Sequence, residues 1–329
     1  MANAGGADLC IASIEGGALG SLPCAMLTSD QMREQVAEVR SRVAGPLNLN
    51  FFCHRMPEQA DDTAWRALLQ PYYEEFGLET PPPPPLRLPF DEAACAVVEQ
   101  EKPEVVSFHF GLPEQPLLER VRATGALGLA TATTVQEARW LAGRGVDAII
   151  AQGFEAGGHT GRFLGGDRAE AIGLFALLPQ IVDAVSVPVI AAGGIADGRG
   201  IAAAFMLGAS AVQMGTAYLS CPESLLPDGA RAVLASRPTL MTNIYSGGLA
   251  RAVRGRLIDE IGPIRTEAPP YPMGGGASGP LFRTALQRGD FDFMPMLAGQ
   301  AAPLGAALPA AELTRKLAAD ALAILAGRA

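Results

Sequence analysis

The stretch that decides the fold is "VPVIAAGGIADGRGIAAAFMLGASAVQMGTAYL", residues 187–219. An apolar strand ends at Gly193 and Gly194, a helical segment follows, and a second apolar strand ends at Gly215. Apolar strands that alternate with helices are typical of a parallel sheet covered on both faces. We therefore expect an α/β protein.

The same alternation continues towards the N-terminus. Both a (β/α)8 TIM barrel and an open doubly wound sheet could produce it. The length of the alternation and the two consecutive glycine turns favour the barrel, because barrels commonly bind phosphate at their last two strands. The predicted strands are short apolar runs, at 17–22, 47–52, 104–110, 126–131, 146–151, 187–192 and 210–215.

Helix ends are predicted at three places. Ser29 is the expected N-cap of one helix, and Thr134 with Glu137 forms a capping-box pattern at the start of another. The last helix is expected to begin near Pro309. The core-facing positions predicted from helical spacing are Met32, Val36 and Val39 in the first helix, and Leu313, Leu317, Ala321 and Leu325 in the last.

Two segments interrupt the alternation. "TPPPPPLRLP" (80–89) predicts a stiff polyproline insertion. Residues 222–300 are rich in Pro, Gly and Arg, and "APPYPMGGGASG" (268–279) within them is expected to be irregular. We predict a barrel domain of residues 1–221 plus 301–329, with 222–300 as a smaller extension that lines the mouth of the active site.

Charge and cysteine content narrow the class of protein. The 329 residues carry a formal net charge of −9 without a basic block, which argues against nucleic-acid and membrane-surface binding. Five cysteines without a CxxC pair, and without a secretory signal before them, predict reduced thiols in a cytoplasmic protein. The oligomeric state is left open, with a homodimer as one alternative.

The glycine turns of 187–219 predict a phosphate site. Gly193, Gly194 and Gly215 would let backbone N–H groups approach a phosphate, and Thr216 adds a hydroxyl. A helix that starts near residues 197–199 would direct its N-terminus to the same point. The alternative is that these glycines only turn the chain.

The histidine of "IIAQGFEAGGHTGRF" (149–163) is the candidate catalytic residue. His159 follows a predicted strand, so in a barrel it lies at the face that carries the chemistry. A histidine there can accept a proton near neutral pH, whereas the simpler alternative is a ring bonded to a backbone carbonyl.

The other two histidines are weaker candidates. In "SFHFG", strand alternation places Phe108 and Phe110 on one side and His109 on the other, where it lines the pocket or packs. His54 follows another strand. Three histidines on separate strand ends without clustered carboxylates do not predict a metal site.

Several segments together resemble the nitronate monooxygenases, formerly called 2-nitropropane dioxygenases. They are "NLNFFCH", "VVSFHFGLP", "ATTVQEARWL", "GVDAIIAQGFEAGGHTG", the stretch 187–219 and "LAGQAA". The resemblance implies an FMN-binding TIM barrel in which His159 is the catalytic base. It also implies that Ser246 and His109 contact the substrate, although Gly248 stands where an arginine is expected. The implied FMN contacts are Met1, Asn50, Gln152, Gly158, Gly193, Gly194, Met214, Gly215, Thr216 and Gln300.

The implied reaction is the oxidative denitrification of alkyl nitronates, or of nitroalkanes, with O2 to a carbonyl compound and nitrite. Two alternatives stay open. One is an FMN-dependent NAD(P)H reductase of quinones or enoyl thioesters, and the other is a non-catalytic flavin-binding or phosphate-binding protein.

The resemblance has one gap at the N-terminus. Relatives usually begin with a strand of the type "PIIQAPM", and Met1 coincides with the last residue of that strand. We therefore expect the first barrel strand to be missing from this chain, and hypothesise that the natural start lies upstream.

Overall fold

The computed structural model describes residues 4–58, 61–79, 87–165 and 170–327. The predictions on Met1 and on residues 80–86 of the proline run therefore lie outside the described residues. Across these ranges no helix has the length and apolar character needed to cross a membrane.

The main sheet has seven parallel strands in the described ranges, and they are paired in the order in which they occur along the chain. Each strand pairs with the next barrel strand along the chain, so the order never reverses as it would in a doubly wound sheet. All seven predicted strands and the barrel architecture are confirmed. The strands are β1 Gly20–Pro23, β2 Leu47–Phe52, β3 Val105–His109, β4 Leu127–Ala132, β5 Ala148–Gln152, β7 Val189–Ala192 and β8 Ala211–Gln213.

The barrel sheet has β1 and β8 as its two edges. Within the described ranges no eighth parallel strand lies between them. The strands alternate in character, because Leu49 and Phe51 are buried in the main hydrophobic core while Asn48 and Asn50 donate to Ser107 Oγ, each over 2.9 Å. One face of the sheet therefore packs against helices, and the other carries polar side chains together with a small apolar cluster that includes Leu129 and Ile150.

The helices of the described ranges cover this sheet and the extension. They are α1 Ala7–Glu15, α2 Ser29–Arg42, α3 Thr63–Phe76, α4 Glu92–Glu101, α5 Gln115–Ala123, α6 Val135–Ala142, α7 Leu174–Val182, α8 Gly198–Met206, α9 Asp228–Leu234, α10 Arg256–Ile261, α11 Gly274–Arg288 and α12 Ala310–Leu325.

Two predicted helix details are wrong. The N-cap of α2 is Thr28 rather than Ser29, because Thr28 and Gln31 exchange both hydrogen bonds of a capping box. At the end of α12, Leu325 is 43% exposed, since it lies in the last turn. The other predicted core-facing positions of the two helices are buried.

The segment expected to be irregular contains a helix. Residues 274–279 form the first turns of α11, despite four glycines with poor helix propensity. Tertiary contacts explain this result: a Cβ on Gly274 would lie 2.6 Å from Gly247 N, and Trp65 Nε1 donates to the Gly274 carbonyl over 3.1 Å. Helix α3 packs against α11 in a second hydrophobic core. The division into two domains stays a prediction.

A small antiparallel sheet connects the barrel to the extension. It consists of β6 (Gly158–His159), β10 (Ala250–Val253) and β9 (Thr239–Thr242), in the order β6-β10-β9. Ala250 pairs with His159 and Arg251 pairs with Gly158. The extension therefore holds the backbone of the histidine loop directly.

Candidate active site

A cavity of about 680 Å³ lies at the carboxyl ends of the barrel strands. The loop after β5 forms one wall through Gly153, Gly158 and Thr160, and the extension contributes Gly248 and Tyr271. His159 lies between two of these wall residues. The cavity therefore coincides with the region where the sequence predicts catalysis.

The His159 ring has one nitrogen engaged and one without a partner. Its Nε2 lies 2.7 Å from Ser246 Oγ, so the structure brings these two predicted residues together. Among the described residues Nδ1 has no hydrogen-bond partner. Burial lowers the pKa of His159 to about 3, so the ring is neutral at pH 7.

Gln152 and His109 hold the backbone of the same loop. Gln152 Nε2 donates to the His159 carbonyl over 3.0 Å, and Gly161 N donates to Gln152 Oε1 over 2.7 Å. His109 Nε2 reaches the same carbonyl at 3.2 Å, and its Nδ1 lies 3.2 Å from Thr131 Oγ1. His109 does not line the described part of the cavity, and its substrate contact stays a prediction.

Phe110 departs from the predicted alternation. Phe108 is fully buried against Phe90, but Phe110 lines the cavity with its ring centroid 6.1 Å from that of His159. Strand β3 ends at His109, and Phe110 has a φ of +68°. A left-handed conformation costs a non-glycine residue roughly 1–2 kcal/mol. The turn thus places an aromatic ring beside the candidate base.

His54 also lines the cavity. Its Nε2 donates to the Arg87 carbonyl over 3.0 Å, and burial lowers the pKa of the ring. Across the described ranges no group of three or more His, Cys, Asp or Glu side chains could hold a metal ion. The predicted lack of a metal site stays a prediction.

The first glycine turn lies against the histidine loop. Gly193 and Gly194 have φ values of +108° and +69°, which favour glycine. A Cβ on Gly193 would lie 3.0 Å from Ala156 N. The N-terminus of α8 is less available to a phosphate than predicted, because the Asp197 carboxylate accepts hydrogen bonds from the first N–H groups of that helix. A phosphate here would depend on the turn amides.

The second glycine turn contacts the extension. Thr216 Oγ1 accepts from Gly299 N over 2.9 Å, which leaves the hydroxyl proton available to a ligand. Gln300 N donates to the Glu155 carbonyl over 2.9 Å, so the segment around Gln300 lies on the histidine loop. The first glycine turn therefore contacts the loop of residues 153–159 directly, and the second contacts it through residues 299–300.

The remaining predicted cofactor residues are more scattered. Asn50 donates to Ser107, and Met214 packs partly against the main core. Of the predicted contacts in the described ranges, Gln152 and Gly158 line the cavity itself. Gly215 directly precedes the short helical turn Thr216–Tyr218.

The residues present fit a flat ligand with a phosphate. Gly158 has a φ of +80°, and a Cβ there would meet no atom within 4 Å, so its open side faces free space at the cavity wall. Two glycine turns and the Thr216 hydroxyl offer phosphate donors nearby. This donor set is compatible with FMN.

Charge distinguishes this cavity from the rest of an acidic protein. Arg55, Arg144 and Arg162 line it, and no carboxylate is among its described lining residues, although Arg162 forms an ion pair with Glu170 over 3.7 Å. Sequence patterns did not predict that these three arginines line one cavity, because they come from three separate segments of the chain. Such a wall suits an anionic ligand.

Tyr271 is the other wall residue that sequence patterns missed. It lies in the segment expected to be irregular, and its ring centroid is 4.9 Å from that of His159. The sequence offered one signal for it: Tyr271 is an aromatic residue in the extension that is predicted to line the mouth of the active site.

Comparisons with known proteins agree with one another. A family model described as nitronate monooxygenase matches residues 1–320. A nitronate monooxygenase of Paraburkholderia phytofirmans is 41% identical, over 96% of this chain and 89% of the relative. One of Pseudomonas aeruginosa is 42% identical, over 92% and 88%. A solved nitroalkane oxidase of Streptomyces ansochromogenes has a TM-score of 0.93 at 36% identity, covering 100% of this chain and 96% of that chain.

Proposed function

The chain belongs to the nitronate monooxygenase family and is an oxidoreductase, and we propose that it uses FMN and O2 to convert alkyl nitronates to a carbonyl compound and nitrite. The observation that carries the proposal is His159, whose Nε2 contacts Ser246 and whose neighbours Gly158 and Thr160 line a cavity with arginines as its charged lining residues. A nitronate is an anion, so this wall would attract it.

His159 would act as a base towards a neutral nitroalkane. Ser246 Oγ engages Nε2 and leaves Nδ1 to take the proton from the carbon next to the nitro group. The hydrogen bonds from Gln152 and His109 to the His159 carbonyl hold the backbone of this residue in place during the transfer. A substrate that arrives already as the nitronate does not need this step.

Three groups of residues would hold the cofactor. Gly193, Gly194, Gly215 and Thr216 would bind the phosphate, Gly158 would lie against the ring system, and Asn50, Gln152, Met214 and Gln300 would contact the rest. When bound, FMN supplies the electron-accepting and oxygen-activating chemistry. The residues of the chain bind the substrate, orient it and move its proton.

The test is anaerobic mixing of the FMN-loaded protein with ethylnitronate, and separately with NADH and NADPH, while the flavin absorbance is recorded. We expect prompt loss of the oxidised-flavin absorbance with ethylnitronate and a slow response to both nicotinamides. Rapid bleaching by NADH or NADPH alone would instead assign the protein to the FMN-dependent reductases.

A variant tests the role of the histidine. His159→Asn should retain FMN and still oxidise ethylnitronate, but lose at least about a hundredfold in kcat/KM with neutral nitroethane, a typical contribution of general-base catalysis. Unchanged turnover of nitroethane would show that the ring is not the base. Retained FMN without turnover of either substrate in the unmodified protein would favour a binding protein.

A further inference from the structure

Tyr271 lies beside the candidate base and is not used by the proposed proton transfer. Its ring centroid lies 4.9 Å from that of His159 and 5.3 Å from that of Phe110, and it lines the cavity. A tyrosine that only fills space at this position would need no partner for its hydroxyl. The hydroxyl of Tyr271 has a specific one.

Arg87 Nη1 donates a hydrogen bond to Tyr271 Oη over 3.0 Å. Within the described ranges this is the only hydrogen bond of that hydroxyl. Because the guanidinium occupies an acceptor site of the oxygen, the phenolic proton remains free to be donated to a ligand. Burial raises the pKa of Tyr271, so the proton is present throughout the neutral range.

Arg87 has a charge without a counter-ion among the described residues. In the described part of the chain it forms no ion pair, and its guanidinium carbon lies 5.6 Å from the Phe52 ring centroid and 5.8 Å from that of Tyr271. A cation that donates to a hydroxyl makes that hydroxyl a stronger donor, because hydrogen bonds in a chain polarise one another. Arg87 therefore prepares Tyr271 to bind an anion.

We propose that Tyr271, polarised by Arg87, donates a hydrogen bond to the anionic oxygen of the nitro group of the substrate. This inference rests on the proposed function, and Tyr271 is then a substrate-binding residue while Arg87 is a positioning residue. A nitronate carries its negative charge on the two oxygens, whereas the base His159 acts on the carbon. The two sides of the substrate thus have separate protein partners.

The same donor has a different effect on the neutral substrate. When His159 removes the proton from nitroethane, the C–H electron pair forms the C=N bond and an N–O π pair moves onto oxygen. The charge on oxygen develops only during this step, so the Tyr271 hydrogen bond strengthens in the transition state. With ethylnitronate the charge on oxygen is present from the start, so the hydrogen bond from Tyr271 contributes to substrate binding.

The experiment uses the FMN-loaded protein and the variants Tyr271→Phe, Arg87→Met and their combination. Arg55→Met is the charge-matched control, because Arg55 lines the same cavity without contact to Tyr271. KM and kcat are measured with ethylnitronate and with nitroethane. The affinity for nitrate, a planar anion with the same O–N–O group, is measured by titration calorimetry.

We expect Tyr271→Phe to raise KM for ethylnitronate and to weaken nitrate binding, each by about tenfold or more, the usual effect of one hydrogen bond to a charged group. With nitroethane kcat should fall while KM changes little. Arg87→Met should have little further effect in the Tyr271→Phe background. The effects of Arg55→Met and Tyr271→Phe should multiply, because no contact couples the two residues.

Unchanged nitrate affinity and unchanged KM for ethylnitronate in Tyr271→Phe would overturn the inference and leave the proposed function intact. Equal losses with both substrates together with loss of FMN would also overturn it, since they indicate a purely structural role. If the unmodified protein oxidises no nitronate but binds nitrate through Tyr271, the proposed function fails and the anion site stands.

Discussion

His159 and His109 are uncharged in the folded protein, because burial lowers their pKa values to about 3 and about 4. An exposed histidine in the unfolded chain titrates near its ordinary value of 6.5. Between these values the unfolded state binds more protons than the folded state. The free energy of unfolding must therefore fall as the pH falls below about 6.5.

We expect each ring to reduce the free energy of unfolding by about 1 kcal/mol per pH unit between pH 6 and pH 5. Urea unfolding at pH 7.5, 6 and 5 measures this dependence, and the two rings contribute nothing above pH 7.5. His109→Asn removes one titrating ring and should flatten the curve by its share. The same slope in this variant would show that His109 is not the cause.

At the scale of elements, Glu137 connects the start of α6 to the histidine loop. The predicted capping box is half formed, since Thr134 Oγ1 accepts from Glu137 N over 3.1 Å. The buried carboxylate instead accepts from Thr133, through its N–H and its hydroxyl, and from the N–H groups of Phe163 and Leu164. One side chain thus orders the loop on the far side of His159.

Glu137→Ala should lower the free energy of unfolding by about 3 kcal/mol, because it leaves several buried donors without an acceptor. It should also lower kcat with nitroethane, since the loop loses its anchor. Chemical unfolding and steady-state kinetics measure the two effects. Glu119→Ala is the control, because Glu119 is exposed and accepts from a single side chain, that of Gln115. Equal effects of the two substitutions would contradict the anchoring role.

At the scale of the whole molecule, barrel and extension meet at the histidine loop. A Cβ on Gly157 would lie 2.4 Å from Gly299 N, so two backbone segments touch where a side chain would separate them. Strand β10 pairs with the loop on its other edge. A ligand bound by the glycine turns and by Gly158 would contact both parts, and its binding should stabilise the whole fold.

FMN at a hundredfold excess over its Kd should raise the free energy of unfolding by about 2.7 kcal/mol. Gly158→Ala should abolish this gain, because the new methyl group projects into the cavity from a backbone with φ +80°. Gly289→Ala is the matched control, with φ +69° and equally open surroundings at the end of α11. Thermal unfolding with and without FMN, and quenching of flavin fluorescence, measure both variants.

The two glycine variants should then differ in one respect. Both are expected to destabilise the protein through backbone strain, but only Gly158→Ala should stop responding to FMN. A full FMN response in Gly158→Ala would place the flavin elsewhere.

Local sequence patterns were sufficient to predict much of the fold of this protein. Apolar runs between turn residues identified all seven barrel strands, because a strand buried on both faces has a composition that its neighbours in the chain do not share. The position of the His159 loop at the cavity followed from its place after a strand, since the carboxyl ends of parallel strands meet at one face. The roles of the predicted site residues stay predictions.

Other features depend on contacts between distant segments. Residues 274–279 become helical because α3 and Gly247 pack against them, which overrides the poor helix propensity of glycine. Phe110 reaches the cavity because β3 ends one residue before it, and Tyr271 gains its role from Arg87, 184 positions away. Propensity and periodicity describe a residue and its neighbours in the chain, whereas these arrangements follow from packing that only the folded chain creates.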